Sequence, residues 1–155
     1  MISPEVLRRY PYFAFLDEAQ LRAVAMLSEE VEVESGAFVF ESDKPAEALY
    51  LLVEGNLDLY YVVSDRDDPK LTKEFFLSEL SPGDAFGISA LIEPYLYTAS
   101  ARASAPSKVV RIEANGLRAL SELDAKLAAG LMKATAKTAM ERLHDTRIQL
   151  AATRA

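Results

Sequence analysis

From Val31 to Ile112 the apolar residues recur with a period of two, and the runs are cut every few residues by turn formers. That alternation constrains the chain more than any other feature, because period-two segments of five to eight residues half-bury a pleated strand and cannot present one face of a helix. Val31 and Val33 lead through Ser35-Gly36 into Phe38-Val39-Phe40. Ala48 to Val53 is turned by Glu54-Gly55-Asn56 into Leu57 to Val63, Glu74 to Leu80 returns, Tyr97 to Ala103 alternates, and Lys108 to Ile112 closes the series. About eight short strands with turn signals between them predict a sandwich or β-roll rather than a parallel sheet.

Helical signals flank this region. Ser3-Pro4-Glu5 offers a capping residue, a proline at the first helical position and an acid in the first turn, and Pro11 ends the helix. Asp17 with Gln20 three residues on reads as a capping box, followed by Leu21, Val24 and Leu27 near helical spacing. After the strands, Ala114 to Leu123 reads as a short helix, and Asp124 caps a long one running to about Ala151. The long helix carries two apolar stripes. Leu127, Leu131, Ala134 and Thr138 form one, which the β-roll would cover; Ala125, Ala129, Met132, Ala136, Ala139, Leu143, Thr146 and Leu150 form the other, at the spacing of a helix that pairs with a second copy of itself.

The predicted architecture is therefore α+β, mainly β: a double-stranded β-helix, or jelly-roll-like β-roll, with N-terminal helices and a long C-terminal helix. One domain is expected over residues 1–155, with a helical lead over 1–28, the β-roll over 29–113 and the C-terminal helices over 114–155 as the dimerisation element of a homodimer.

Composition narrows the functional classes. Of 155 residues half are apolar, in short runs, with no stretch approaching a membrane span; cysteine is absent, and no secretory leader opens the sequence. A cytoplasmic protein without membrane partners is expected. Residues 115–155 carry seven Lys/Arg against four Asp/Glu, a net +3 that leaves −10 on the first 114 residues and −7 overall. An acidic body with a mildly basic last helix is a poor partner for nucleic acid, and no reader helix fits after Leu143, so DNA binding is not expected.

Chemistry concentrates in one stretch. Pro82-Gly83 marks a turn, Gly87 permits a tight backbone, Ser89 to Ile92 can make one helical turn, the short cassette helix near 87–92, and a strand follows. Amides after Gly87 and the hydroxyls of Ser89, Thr98 and Ser100 could hold a small anion or polar ligand; a β-roll corner that binds nothing fits the same pattern. Phe86-Gly87-x-x-Ala90-Leu91, with Thr98-Ala99-Ser100-x-Arg102-Ala103, resembles the phosphate-binding cassette of the cyclic nucleotide-binding domain family. The likeness extends to Ser35-Gly36-x-x-Val39-Phe40, Leu49-Tyr50-Leu51-Leu52-Val53-x-Gly55, Pro82-Gly83-Asp84 and Arg111-Ile112, while Ser42 and Ala46 stand where the family often has glycine. The resemblance implies a ligand site built on Gly87, Ile88, Ser89, Ala90, Tyr97, Thr98, Ala99 and Ser100. It also implies a glutamate at position 88 for the ribose and an arginine at position 97 for the phosphate. This chain has Ile88 and Tyr97, so both charged contacts are missing. By strand alternation Arg102 points away from Tyr97 and into solvent.

No catalytic constellation is found. Ser89, Thr98 and Ser100 lack a base at recognisable spacing, the single histidine, His144, cannot build a metal site or triad, and Asp65, Asp67 and Asp68 lack the spacing of a calcium loop. No cofactor is expected. The chain reads as a non-enzymatic regulatory or sensor domain for a small molecule, standing alone without a DNA-binding domain and unable to take cyclic AMP or cyclic GMP in the usual way. The alternatives are a ligandless dimeric adaptor, or a true cyclic-nucleotide binder with altered contacts.

Overall fold

The computed structural model describes residues 1–68 and 70–154. Pro69, between the expected strands Leu57 to Val63 and Glu74 to Leu80, and Ala155, at the end of the expected C-terminal region, lie outside the described residues. The element order is α1 (Pro4–Arg8), a 3-10 turn (Pro11–Phe13), α2 (Glu18–Met26), β1 (Ser28–Val33), β2 (Phe38–Phe40), β3 (Ala48–Glu54), β4 (Leu57–Ser64) and β5 (Thr72–Leu80). There follow β6 (Ala85–Phe86), a second 3-10 turn (Ile88–Leu91), β7 (Ser100–Ala103), β8 (Ser107–Glu113), α3 (Ala114–Leu123) and α4 (Ala125–Arg154).

The strands form two antiparallel four-stranded sheets, ordered β1-β8-β3-β6 and β2-β7-β4-β5. Their facing sides make the core: Leu52 pairs with Val109 in one sheet, Leu59 with Ala101 in the other, and all four are buried. The two-residue alternation predicts this where one face is wet, as in β4, where Leu57 and Leu59 are buried while Asp58 and Tyr60 are only half-buried. β3 breaks the alternation. Its residues Ala48 to Leu52 are all buried because α3 covers the side turned away from the roll. Gly55 makes the β3–β4 turn at φ +100°, and a Cβ there would lie 2.6 Å from the Ser107 backbone, so this turn admits only glycine.

The helical lead is fixed by the chemistry the sequence announces. Asp17 Oδ1 accepts from the Gln20 amide at 2.8 Å, and Gln20 Oε1 accepts from the Asp17 amide at 2.9 Å. Gln20 also donates to Asp124 Oδ2 at 3.0 Å, tying α2 to the start of α4, where Asp124 Oδ1 accepts from the Leu127 amide at 3.0 Å. The Gln20 bond is the first cause holding the Asp124 carboxyl below its ordinary range. Ser3 differs from expectation: it precedes α1, but its side chain makes no capping bond.

α4 runs to Arg154, beyond the expected Ala151, and at about 1.5 Å per residue spans about 45 Å. Leu127, Leu131, Thr135 and Thr138 are its buried residues, with Ala134 half-buried beside them. Tyr12 in the first 3-10 turn reaches Thr135 through a 2.8 Å hydroxyl contact. The second stripe, Ala125 to Leu150, is exposed at every position, with Met132 at 40% and Leu150 at 57% of full exposure. Among the described residues no helix is long and apolar enough to cross a membrane, and no group of His, Asp and Glu is placed to hold a metal.

Candidate ligand-binding site

The cassette turn forms because β6 ends against β3 (Tyr50 paired with Phe86, Leu51 with Ala85) and Gly87 then takes φ +75°, the left-handed conformation that starts the 3-10 turn. What comes close to Gly87 is the protein itself. A Cβ here would sit 3.3 Å from the Phe40 and Tyr50 rings and 3.4 Å from the Ala48 carbonyl oxygen.

Tyr97 completes this aromatic group. Its ring stacks on Phe40 with centroids 3.9 Å apart and planes 9° from parallel, while Phe86 lies 5.3 Å from Tyr50 and 6.0 Å from Phe40. The Tyr97 hydroxyl donates to the Ala48 carbonyl at 2.7 Å and accepts from the Ala48 amide at 3.3 Å, so its hydrogen-bonding capacity is directed into the backbone of β3. Only 4% of Tyr97 is exposed, and burial pushes its phenol well above the ordinary range, with Tyr50 adding to the effect. At the position where the resemblance calls for a cation, the chain has a neutral ring locked into its own core.

The expected strand from Tyr97 begins only at Ser100; Tyr97 to Ala99 lie in the preceding loop. Two assigned residues are engaged within the protein. Ser100 is buried and its Oγ accepts from the Ser42 amide at 2.9 Å, securing the loop after β2 instead of facing a ligand. Ala90 is buried too, and its carbonyl accepts from Arg118 Nε at 2.9 Å. Arg118, from α3, also donates to the Ala46 carbonyl at 2.9 Å and lies 3.7 Å over the Tyr95 ring, so a helix outside the roll fastens both flanks of the cassette. Arg102 points outward as alternation predicts, pairing with Glu74 at 3.2 Å and lying over Tyr60.

Beside the aromatic group remains a cavity of about 360 Å³, in the range of small-molecule sites. Gly87, Ile88, Ser89, Tyr97, Thr98 and Ala99 supply the cassette side of its wall. The opposite side is α4, through Thr138, Ala139, Arg142, Leu143 and Thr146. Ala139, Leu143 and Thr146, assigned from the sequence to a helix-pairing stripe, thus also wall the cavity. Sequence reasoning missed Phe40, Leu59, Leu77, Phe86 and above all Arg142, the charged residue of this wall, whose Nη2 donates to the Ala85 carbonyl at 2.7 Å. Ser78 ties α4 to β5, donating to Asp145 Oδ2 at 2.6 Å.

Comparisons with known proteins agree with this geometry. The model of the family described as "Cyclic nucleotide-binding domain" matches residues 30–124. A solved protein of Geobacter metallireducens GS-15, described as cyclic nucleotide-binding, is 40% identical with a TM-score of 0.79, covering 93% of this chain and all of that one. The N-terminal domain of a transcriptional regulator from Streptomyces coelicolor A3(2) is 26% identical (TM-score 0.65, 88% of this chain, 93% of that one). The sensor domain of the transcriptional regulator DNR from Pseudomonas aeruginosa is 25% identical (TM-score 0.67, 87% and 91%). No curated protein matches the chain. With the β-roll, the cassette turn and a family match over more than half its length, the chain belongs to the cyclic nucleotide-binding domain family.

Proposed function

We propose that this chain is a non-enzymatic regulatory domain that binds a small molecule other than a cyclic nucleotide, in the cavity between cassette and α4. The observation that carries the reading is the coexistence of an open cavity of about 360 Å³ with a cassette whose two expected charges are replaced by Ile88 and Tyr97. A desolvated cyclic phosphate without its arginine loses about 2 to 5 kcal/mol, a factor of tens to thousands in affinity. Two of the similar structures are domains of transcriptional regulators, which supports a signalling role. The wall shared with α4 supports a route by which occupancy reaches that helix. The exposed stripe through Met132, Ala136 and Leu150 supports pairing of α4 with its copy in a homodimer.

The test is calorimetry with cyclic AMP and cyclic GMP, beside a thermal-shift screen of small metabolites. The expected result is no cyclic-nucleotide binding tighter than millimolar and a raised melting temperature with some other small molecule; micromolar cyclic-nucleotide binding refutes the reading. A ligandless adaptor is the second reading, favoured by the Tyr97 stack. It predicts that no compound in the screen moves the melting temperature.

A further inference from the structure

The wall of the cavity is asymmetric in a way that specifies its guest. Phe40, Leu59, Leu77, Phe86 and Ile88 make it apolar. Of its six hydroxyls three are already engaged, Ser78 donating to Asp145, Thr146 to the Arg142 carbonyl at 2.9 Å and Tyr97 to Ala48, while Ser89, Thr98 and Thr138 add neutral polar groups. Arg142 is the charged residue of the wall, and no carboxylate lines it.

The guanidinium is held in place and underused. Nη2 donates to the Ala85 carbonyl, one residue before Phe86, which anchors one corner of the group. Among the described residues it forms no ion pair, and Nε and Nη1 have no protein acceptor. Glu79, Asp84, Glu141 and Asp145 share a shallow outer depression with Arg142 without pairing with it. Two of those acids have other bonds, Asp145 from Ser78 and Asp84 from the Ser81 amide at 2.8 Å. A half-buried guanidinium with a free edge matches a planar carboxylate, which takes two parallel N–H bonds. One cation compensates one charge, so a dianion would be left with an unpaired charge beside apolar walls.

We propose, resting on the ligand-binding reading above, that the cavity takes a small monocarboxylate with an apolar body, its acid group on Arg142 and its body against Leu59, Leu77 and Phe86. The assignment places the ligand's charge on α4, on the opposite wall from Tyr97.

The experiment is calorimetry on the full chain with two matched pairs of probes, 4-phenylbutyrate against 4-phenylbutan-1-ol and decanoate against decan-1-ol. At least one acid binds tenfold or more tightly than its alcohol. Arg142→Gln weakens that acid by about 30-fold or more while moving the alcohol less than twofold, and Arg142→Lys, a point charge without the fork, falls between. Should Arg142→Gln not fold, the Nε–H resonance of Arg142 in the wild-type chain carries the same test, shifting with the acid and not with the alcohol. Alcohols that bind as well as the acids overturn the anion assignment but leave a ligand pocket standing. Failure of all four probes overturns the assignment, and the metabolite screen then decides whether the pocket reading falls with it.

Discussion

Replacing Tyr97 tests the central structural claim, that this side chain belongs to the core and not to a ligand. Tyr97→Phe keeps the ring on Phe40 and removes only the hydroxyl that bridges the Ala48 carbonyl and amide at 2.7 and 3.3 Å. Ala48 is fully buried, so its polar groups lose a partner that water cannot replace, a cost of about 1 to 3 kcal/mol. For a chain of this length each kcal/mol lowers the melting temperature by about 2 to 4 °C. Tyr97→Ala removes the ring as well, and large-to-small changes of buried aromatics cost about 3 to 5 kcal/mol. The assay is urea unfolding followed by circular dichroism, with the denaturant slope checked for constancy. The order wild type, Phe, Ala with those spacings is expected. A Tyr97→Phe chain within about 0.5 kcal/mol of wild type would refute the anchoring role, and a Tyr97→Ala chain as stable as wild type would mean that the ring fills nothing.

Three further outcomes follow from the geometry. Tyr12 is 6% exposed and burial pushes its phenol up to about 12, so the unfolded chain releases this proton first. The stabilisation is intact below pH of about 10 and is lost as pH rises towards 12, about 2 to 3 kcal/mol in all, and Tyr12→Phe should flatten that alkaline loss when unfolding free energies are compared between pH 9 and 12. Gly55→Ala must strain φ and meet the Ser107 backbone, and is expected to cost about 3 kcal/mol or more, whereas Gly36→Ala, at φ +86° with nothing within 4 Å, should cost about 1 to 2 kcal/mol in the same urea assay. Arg118→Ala releases the Ala90 and Ala46 carbonyls and should cost about 2 to 4 kcal/mol. Arg118→Lys should recover little of that loss, because one ammonium cannot serve both carbonyls along with the Tyr95 ring.

The sequence was most legible where the physics is local. The capping box at Asp17 and Gln20, the left-handed start of the cassette at Gly87 and seven of the eight strands depend on residues a few positions apart and are in place, the two-residue β6 being the strand no local pattern marked. Facing direction was legible only inside regular ladders. Arg102, paired in β7, points where alternation sends it; Ser100, at that strand's first position, turns to the Ser42 amide, and Tyr97 lies ahead of the ladder altogether. Arg142 was illegible for another reason. Its role depends on which face of α4 docks on the roll, and that phase is set by contacts far apart in sequence, Tyr12 with Thr135 and Ser78 with Asp145. The helical spacing did separate the buried stripe from the exposed one, but it gave no sign that Ala139, Leu143 and Thr146 would also border a cavity.

α4 is pinned near its start by Gln20 on Asp124, and further along by Ala85 on Arg142 and Ser78 on Asp145. Beyond the last pin the helix continues to Arg154 with only its own i−3 and i−4 side-chain bonds. Only with the contacts of Thr135, Arg142 and Asp145 released and Gln20 still on Asp124 would the helix swing as a lever about its start: over about 45 Å, a tilt of about 10° would carry the far tip roughly 8 Å. An event small enough to fit inside the roll would therefore be magnified at the tip, so spin labels near residue 150 would report it with far more sensitivity than probes on the strands.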